Sequence, residues 1–272
     1  MPLNEASRAE RVVKLLEEFD RVVIALSGGV DSAVLAALAL RALGPDRSLA
    51  ITALSPAVPA WDRRDAAQIA AQIGIRHRMI ETAELADENY RANRGDRCFF
   101  CRNVLFSTIK AISDDGEPGT IVYGAILDDL GDDRPGMRAA EEHGVRAPLL
   151  EAGLSKLDVR AIARRLSLAV SDKPAAACLS SRIPIGTTVT AERLDEVERA
   201  EQILHLHGFS QFRVRHFGAL ARLELDPDGL DRLRSDRLRR RVMDEIRAIG
   251  FESVEVDPAG YRSGSLNLIR PS

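Results

Sequence analysis

The feature that most constrains this chain is a short β-branched run, Arg21-Val-Val-Ile-Ala-Leu26, followed at once by Ser27-Gly-Gly-Val-Asp-Ser32. The Ala/Leu-rich stretch Ala33 to Leu43 comes next and stops at Gly44-Pro45. Strand, glycine turn and helix in direct succession form the first part of a βαβ unit, which a parallel strand has to complete. The pattern repeats. Leu49 to Leu54 precedes a helical Asp62 to Ile73, Arg78 to Ile80 reads as a third strand, and Thr120 to Tyr123 as a fourth after the helix that follows Cys101. An amphipathic helix over Arg8 to Phe19 leads into the series. This alternation predicts an α/β fold with a doubly wound, mostly parallel sheet. From Thr190 the spacing changes to a charged helix (Ala191 to His207), a strand pair (Gln211 to His216, Ala221 to Leu225), one Arg- and Leu-rich helix over Gly229 to Ile249, and a strand near Ser253 to Val256. That second pattern predicts a smaller C-terminal α+β domain. With the Pro184/Gly186 stretch as linker, the domains are 1–186 and 187–272.

Composition removes several classes of function. With 38 basic against 41 acidic residues the net charge is −3, so there is no global electrostatic case for nucleic acid or an anionic membrane. The longest apolar runs fall short of the ~20 residues needed to span a bilayer, and no export signal is visible, so the cytoplasm is the expected location. Three cysteines, an odd number, argue against a disulfide scaffold and for metal, redox chemistry or burial.

The Ser27 to Ser32 turn carries the most specific chemistry. Gly28 and Gly29 remove the side chains that would keep an anion from backbone N–H groups, and the following helix presents its positive end to the same place. Ser27 and Ser32 add hydroxyl donors. Asp31 would repel a phosphate unless Mg²⁺ bridges the two, so a magnesium nucleotide fits all six positions. Neither a Walker Gly-Lys-Ser/Thr ending nor a G-x-G-x-x-G is present.

Cys98-Phe-Phe-Cys101 places two thiols near a helix N-terminus, where thiolates are stabilised. Cys178 lies in the polar segment Asp172 to Arg182. The three together suit an iron–sulfur cluster with one iron left open. Zinc with a histidine from among His77, His143 and His216, a thiol redox pair, or inert burial remain open on the residues alone. Arg213 and Arg215 alternate on one predicted strand and so share a face, a fork suited to phosphate or carboxylate. Ser181 and Arg182, just after Cys178, are placed to orient an activated acyl group. The helix from Arg232 to Arg247 mixes its arginines with acids and reads as solvated or oligomer-facing.

Ser27-Gly-Gly-Val-Asp-Ser32 after the first strand resembles the pyrophosphate loop of the N-type ATP pyrophosphatases. Successive blocks, Asp133 to Ala140, Gly144 to Leu149, Leu154-Ser-Lys156, Asp172-Lys-Pro174, Ala177 to Pro184 and Phe212 to His216, resemble the LarE family over roughly Val23 to Glu255. The resemblance implies an ATP-dependent sulfur transferase. A pyridinium biscarboxylate mononucleotide would be adenylated on a carboxylate and thiolated there, and AMP and pyrophosphate released. It implies that Ser27, Gly28, Gly29 and Ser32 hold pyrophosphate, that Asp31 holds Mg²⁺, and that Ala53 and Ser55 face the adenine of ATP. Glu201 and Glu224 match positions near substrate or metal. Family members with three cysteines carry a [4Fe-4S] cluster, which would place Cys98, Cys101 and Cys178 as its ligands. Members with one cysteine at the position of Cys178 give up its sulfur instead. Ala125-Ile-Leu-Asp-Asp129 departs from the family pattern, so Asp128 and Asp129 receive no role. Two other readings compete: a tRNA-thiolating enzyme of the same fold, and a metal- or redox-sensing nucleotide-binding protein. The expected assembly is a homo-oligomer that binds no nucleic acid and no membrane.

Overall fold

The computed structural model describes residues 5–114, 118–130, 135–174 and 177–262. Asp133 and Arg134, of the Asp133 to Ala140 block, and Ala175 and Ala176, in the segment before Cys178, lie outside the described residues. In chain order the elements begin with α1 (Glu5–Glu17), β1 (Val22–Ala25), α2 (Val30–Leu43), β2 (Ser48–Leu54), α3 (Ala60–Ile73) and β3 (Arg76–Glu81). They continue with α4 (Glu88–Ala92), α5 (Arg97–Asp114), β4 (Thr120–Val122), α6 (Pro135–Glu142), α7 (Pro148–Glu151) and α8 (Lys156–Arg165). The last part holds α9 (Ala191–Leu206), β5 (Phe212–Phe217), β6 (Leu220–Leu225), α10 (Pro227–Arg232), α11 (Asp236–Arg247) and β7 (Ser253–Val256). No helix among the described residues is long and apolar enough to cross a membrane.

The chain packs as two compact units, Met1–Glu84 with Cys98–Ala176, and Leu85–Arg97 with Ala177–Ser272. In the first unit four strands form a parallel sheet in the order β3-β2-β1-β4. Alternation along β1 explains the helices on both faces. Val22 and Ile24 point into a core with α1, α2 and α8, which includes Leu16, Leu35, Leu38, Val159 and Ile162. Val23 points the other way, into a second core with Leu49, Ile51, Phe106 and Ile109. The strands step outward from β1 through β2 to β3, and the chain then returns to pair β4 with the opposite edge of β1. Such a reversal opens a crevice at the carboxyl ends of β1 and β4, the usual ligand position in an open α/β sheet.

The second unit has a three-stranded sheet, β5-β6-β7, antiparallel between β5 and β6 and parallel between β6 and β7. Its core joins α9, both ends of the strand pair and α11 through Leu204, Val214, Leu223, Val242 and Ile246. The expected single helix over Gly229 to Ile249 is two helices. α10 ends at Arg232, whose guanidinium bonds the His207 carbonyl at 2.6 Å and the Gly208 carbonyl at 2.5 Å, and Ser235 restarts the chain as the N-cap residue of α11. Five residues separate Leu233 from Leu238, so the apolar spacing lapses at the break, but the intervening Arg-Ser-Asp-Arg holds no glycine or proline to mark a stop.

Residues 85–97 are tied to this unit by Tyr90, whose hydroxyl lies 2.6 Å from Ser180 Oγ, by the Arg91 carbonyl, which accepts from Val189 N–H at 2.9 Å, and by Asn93, which meets the stretch read above as a linker. Asn93 is fully buried in the left-handed conformation at φ 51°. Its amide donates to the carbonyls of Pro184 at 2.7 Å and Thr187 at 3.0 Å, and its own carbonyl accepts from Gly186 N–H at 2.8 Å. Replacing Asn93 with Ala removes its amide bonds to the Pro184 and Thr187 carbonyls and strains the left-handed backbone, so unfolding free energy should fall by about 2–4 kcal/mol. Urea titration of Asn93→Ala against wild type checks this; an unchanged midpoint contradicts it.

Candidate functional site

Gly28, with φ +76°, makes the turn out of β1, and Gly29 is the N-cap residue of α2 with no side-chain cap on the helix. The first N–H groups of α2 therefore lack an internal acceptor and point outward as donors. The two serines close the loop on itself. Ser32 Oγ lies 3.1 Å from Ser27 Oγ, accepts from Ser27 N–H at 3.2 Å and donates to the Gly29 carbonyl at 3.1 Å. A Cβ on Gly28 would sit 3.0 Å from both Ala66 N and Asp62 O in α3, and a Cβ on Gly124, just past β4, 2.9 Å from Ser32 N. The loop is thus pressed between α3 and the β4 exit, in the crevice of the strand reversal.

Two lysines meet this loop from elements far along the chain. Lys156, the first residue of α8, places Nζ 2.6 and 2.9 Å from the two carboxylate oxygens of Asp31. Lys173 Nζ bridges Asp62 at 2.9 Å and Asp65 at 2.6 Å, and lies 3.3 Å from the Gly28 carbonyl. Burial would lower the Lys173 pKa, but hydrogen bonds to Asp65 and Asp62 outweigh it and keep the ammonium charged above its ordinary range. The sequence blocks containing these lysines were visible, but their placement beside the loop was not. Beyond β2, which carries Ala53, Ser55 is buried. Its hydroxyl donates to the buried Glu84 and accepts from Ala57 N–H at 2.9 Å. No pattern around Glu84 marked it out.

Cys98, which is exposed, and Cys101, which is half-buried, stand one helical turn apart at the start of α5. Between them, Phe99 stacks under the Arg138 guanidinium at 4.3 Å. The histidines considered as zinc donors are engaged locally: His77 with Thr52 at 2.9 Å, His143 with Asn103 at 3.1 Å and His216 with Glu196 at 2.7 Å. Among the described residues no three His, Cys, Asp or Glu side chains gather into a preformed metal cluster.

In the second unit the remaining candidate residues form one network of buried charge. Cys178, half-buried, precedes a 3₁₀ turn over Leu179–Arg182. Arg182 turns back to bond the Ala177 and Cys178 carbonyls at 2.7 and 3.1 Å, and the Ser181 hydroxyl at 2.9 Å. It is paired with Glu201 of α9 at 2.8 and 3.0 Å, and Glu201 also accepts from Val214 N–H of β5 at 3.0 Å. Arg215 bonds the Ser181 carbonyl at 2.7 Å and Glu224 at 2.9 Å. Arg213 shares its face of β5 and lies over the Tyr261 ring at 4.7 Å. Burial, with Arg215 and Arg182 adding repulsion, pulls its pKa below the ordinary arginine range. Among the described residues, three guanidinium groups, Arg182, Arg213 and Arg215, stand with two carboxylates, Glu201 and Glu224, a formal excess of one positive charge in a site where all five side chains are buried. Such a surplus favours an anion.

An uncharacterised protein of Synechocystis sp. is 41% identical over 263 residues, 97% of this chain and 98% of that protein. The pyridinium-3,5-bisthiocarboxylic acid mononucleotide synthase of Lactiplantibacillus plantarum is 32% identical over 264 residues, 96% of this chain and 94% of that enzyme. The chain belongs to the LarE family of sulfurtransferases. Residues 9–97 of this LarE chain also match the NAD synthase family, consistent with the shared nucleotide loop. The tRNA-specific 2-thiouridylase of Azorhizobium caulinodans is 32% identical over 238 residues, covering 74% of the LarE chain but 60% of the thiouridylase.

The two loop glycines are not equivalent. Gly28→Ala meets backbone at 3.0 Å in a left-handed conformation, whereas a Cβ on Gly29 meets only Ser27 Oγ at 3.4 Å. Gly28→Ala should lose about 1–3 kcal/mol of stability and weaken ATP binding about tenfold, with Gly29→Ala keeping wild-type stability. Thermal melting and calorimetric ATP titration of both variants check the ranking; equal behaviour contradicts it.

Proposed function

We propose that this protein is an ATP-dependent sulfurtransferase acting on pyridinium-3,5-biscarboxylic acid mononucleotide, converting its carboxylates to thiocarboxylates in the cytoplasm. The observation that carries this reading is the second-unit network, which ties Cys178 and Ser181 to Arg182 and Arg215, with Arg213 on the same face of β5 adding a third buried positive charge. It suits a small substrate bearing phosphate and carboxylate groups. The similarity to the L. plantarum synthase supports the substrate.

In the proposed reaction a substrate carboxylate oxygen attacks the α-phosphorus of ATP and pyrophosphate leaves. A sulfur nucleophile then adds to the acyl adenylate, and AMP departs with the former carboxylate oxygen. The N–H groups of Gly28 and Gly29 and the start of α2, with the Ser27 and Ser32 hydroxyls, hold the departing pyrophosphate, and Lys156 and Lys173 supply charge beside it. Asp31 fits Mg²⁺, since its carboxylate is partly exposed next to the phosphate donors. Ala53 and Ser55 border the nucleoside side, with Glu84 fixing the Ser55 hydroxyl. Arg213 and Arg215 bind the mononucleotide, and Ser181 and Arg182 orient the activated acyl group. Glu201 and Glu224 hold these arginines in place, and Glu224 carries the further proposal of a metal contact.

Cys98, Cys101 and Cys178 are proposed to ligate a [4Fe-4S] cluster. The thiolate chemistry of the set supports this, as does the accessible pair one turn apart at a helix N-terminus. When bound, the cluster supplies the sulfur. The protein is further proposed to act as a homo-oligomer and to bind neither nucleic acid nor membrane. The match to a tRNA thiouridylase favours a second reading, tRNA thiolation, against which the net charge of −3 stands.

Incubation of anaerobically purified protein with ATP and the biscarboxylate mononucleotide should yield AMP, pyrophosphate and a product in which sulfur replaces oxygen. ATP cleavage stimulated by tRNA but not by the mononucleotide would overturn the reading. Asp31→Asn should fold normally and form no AMP; AMP at wild-type rates contradicts its role. Arg215→Ala breaks a buried ion pair with Glu224 and should cost about 3–5 kcal/mol of stability, so Arg213→Ala is the informative substitution. It should raise KM for the mononucleotide about tenfold or more with little change in ATP affinity. Single Cys98→Ala, Cys101→Ala and Cys178→Ala variants should each lose iron, sulfide and sulfur transfer. Full transfer by the first two, with dehydroalanine at position 178 after one turnover of the wild type, would replace the cluster with sacrificial transfer.

A further inference from the structure

The ion pair between Lys156 and Asp31 sits where the proposed reaction needs a metal ion. Both carboxylate oxygens of Asp31 contact the Lys156 ammonium, at 2.6 and 2.9 Å, and the two side chains are about equally shielded, at 31% and 25% exposure. An ammonium and Mg²⁺ are both cations seeking the same oxygens, and Mg²⁺ at 2.0–2.1 Å from a carboxylate oxygen would crowd the lysine. Sharing Asp31 would set the two positive charges close together, so each weakens the hold of the other on the carboxylate.

The local structure does not require this lysine for stability. A cation in the first turn opposes the α8 dipole, and the N-terminus of α8 already has two acidic partners. Asp158 accepts from Ser155 N–H at 2.9 Å, and Asp128 accepts from Lys156 N–H at 2.8 Å. α8 is anchored to α2 by apolar packing that includes Val159 and Ile162 against Leu35 and Leu38. Nor is there slack on the other side of Asp31, because a Cβ on Gly124 would lie 3.2 Å from Asp31 Cβ. The residue is therefore held at the helix end that least favours it, by the one carboxylate in the nucleotide loop.

We propose that Lys156 occupies the metal position at Asp31 in the nucleotide-free protein and yields it only when ATP arrives, so that metal enters together with nucleotide. This rests on the ATP-cleaving function proposed above. The polyphosphate gives the displaced ammonium new anionic acceptors within the same loop, so the charge of Lys156 passes from Asp31 to phosphate while Mg²⁺ takes the carboxylate. Metal and nucleotide are then positively coupled, each raising the affinity for the other by the same factor. Binding of Mg²⁺ alone, which would block the loop with a hydrated ion, is suppressed.

The test uses Mn²⁺ alone, titrated into the full-length protein without nucleotide and followed by electron paramagnetic resonance. Wild type should bind weakly, and Lys156→Met about tenfold tighter or more, because the competing cation is gone. The gain should vanish in Lys156→Met/Asp31→Asn. Adding an ATP analogue with a methylene group between the α- and β-phosphates should tighten Mn²⁺ binding strongly in wild type and much less in Lys156→Met. Equal Mn²⁺ affinity in wild type and Lys156→Met, or a gain that survives the loss of Asp31, overturns the proposal. Lys156→Gln serves as the second variant; if both unfold by thermal melting, the pair is structural and the proposal fails. Failure of the analogue to bind any form would count against the ATP reading, while the metal-only titration still decides the role of Lys156.

Discussion

Two close backbone approaches shape the first unit. Gly28 runs against the Asp62 and Ala66 backbone of α3, and Gly124 runs against the start of α2 at Asp31 and Ser32, both at about the distance where any side chain would clash. They fall at the carboxyl ends of the two parallel strands where the strand order reverses, β1 and β4. A four-stranded parallel sheet of this order needs its loops to diverge there, and the crevice stays narrow only because these positions have no Cβ. The donors of α2, the two serines and Asp31 are consequently packed into a small volume. The proposed triphosphate ligand would meet all of them at once.

Charge in that volume is balanced by contacts distant in sequence. Lys156 and Lys173 come from segments more than a hundred residues beyond the loop, and each meets carboxylates rather than open solvent. The second unit uses the opposite sign. Among the described residues Arg182, Arg213 and Arg215 are buried beside two buried carboxylates, Glu201 and Glu224, and the Arg182 and Arg215 pairs are made with backbone carbonyls as well as carboxylates. Paired buried charges of this kind contribute little net stability. Their value is positional: the arginines are held rigidly, and the excess charge is available to an anionic ligand.

Much of the fold was legible because each parallel strand is followed by a helix of distinct period, and the glycine turn marks where one becomes the other. The break between α10 and α11 was missed, since no glycine or proline marks the five-residue step from Leu233 to Leu238 and the interruption is held by Arg232 reaching the carbonyls of His207 and Gly208. The membership of residues 85–97 in the second unit was equally hidden. It depends on Tyr90, Arg91 and Asn93, whose partners lie ninety or more residues away.

The sequence by itself determined the nucleotide loop, the pair Cys98 and Cys101, and the arginine pair on β5, because each is a local spacing whose geometry follows from helix or strand period. It did not determine which groups neutralise one another. That Lys156 covers Asp31, that Glu84 holds Ser55, and that Arg182 folds back onto Cys178 while pairing with Glu201 are properties of the tertiary structure alone. The physical reason is that side-chain direction is encoded over a few residues, whereas electrostatic partnership depends on distances set only when remote elements pack.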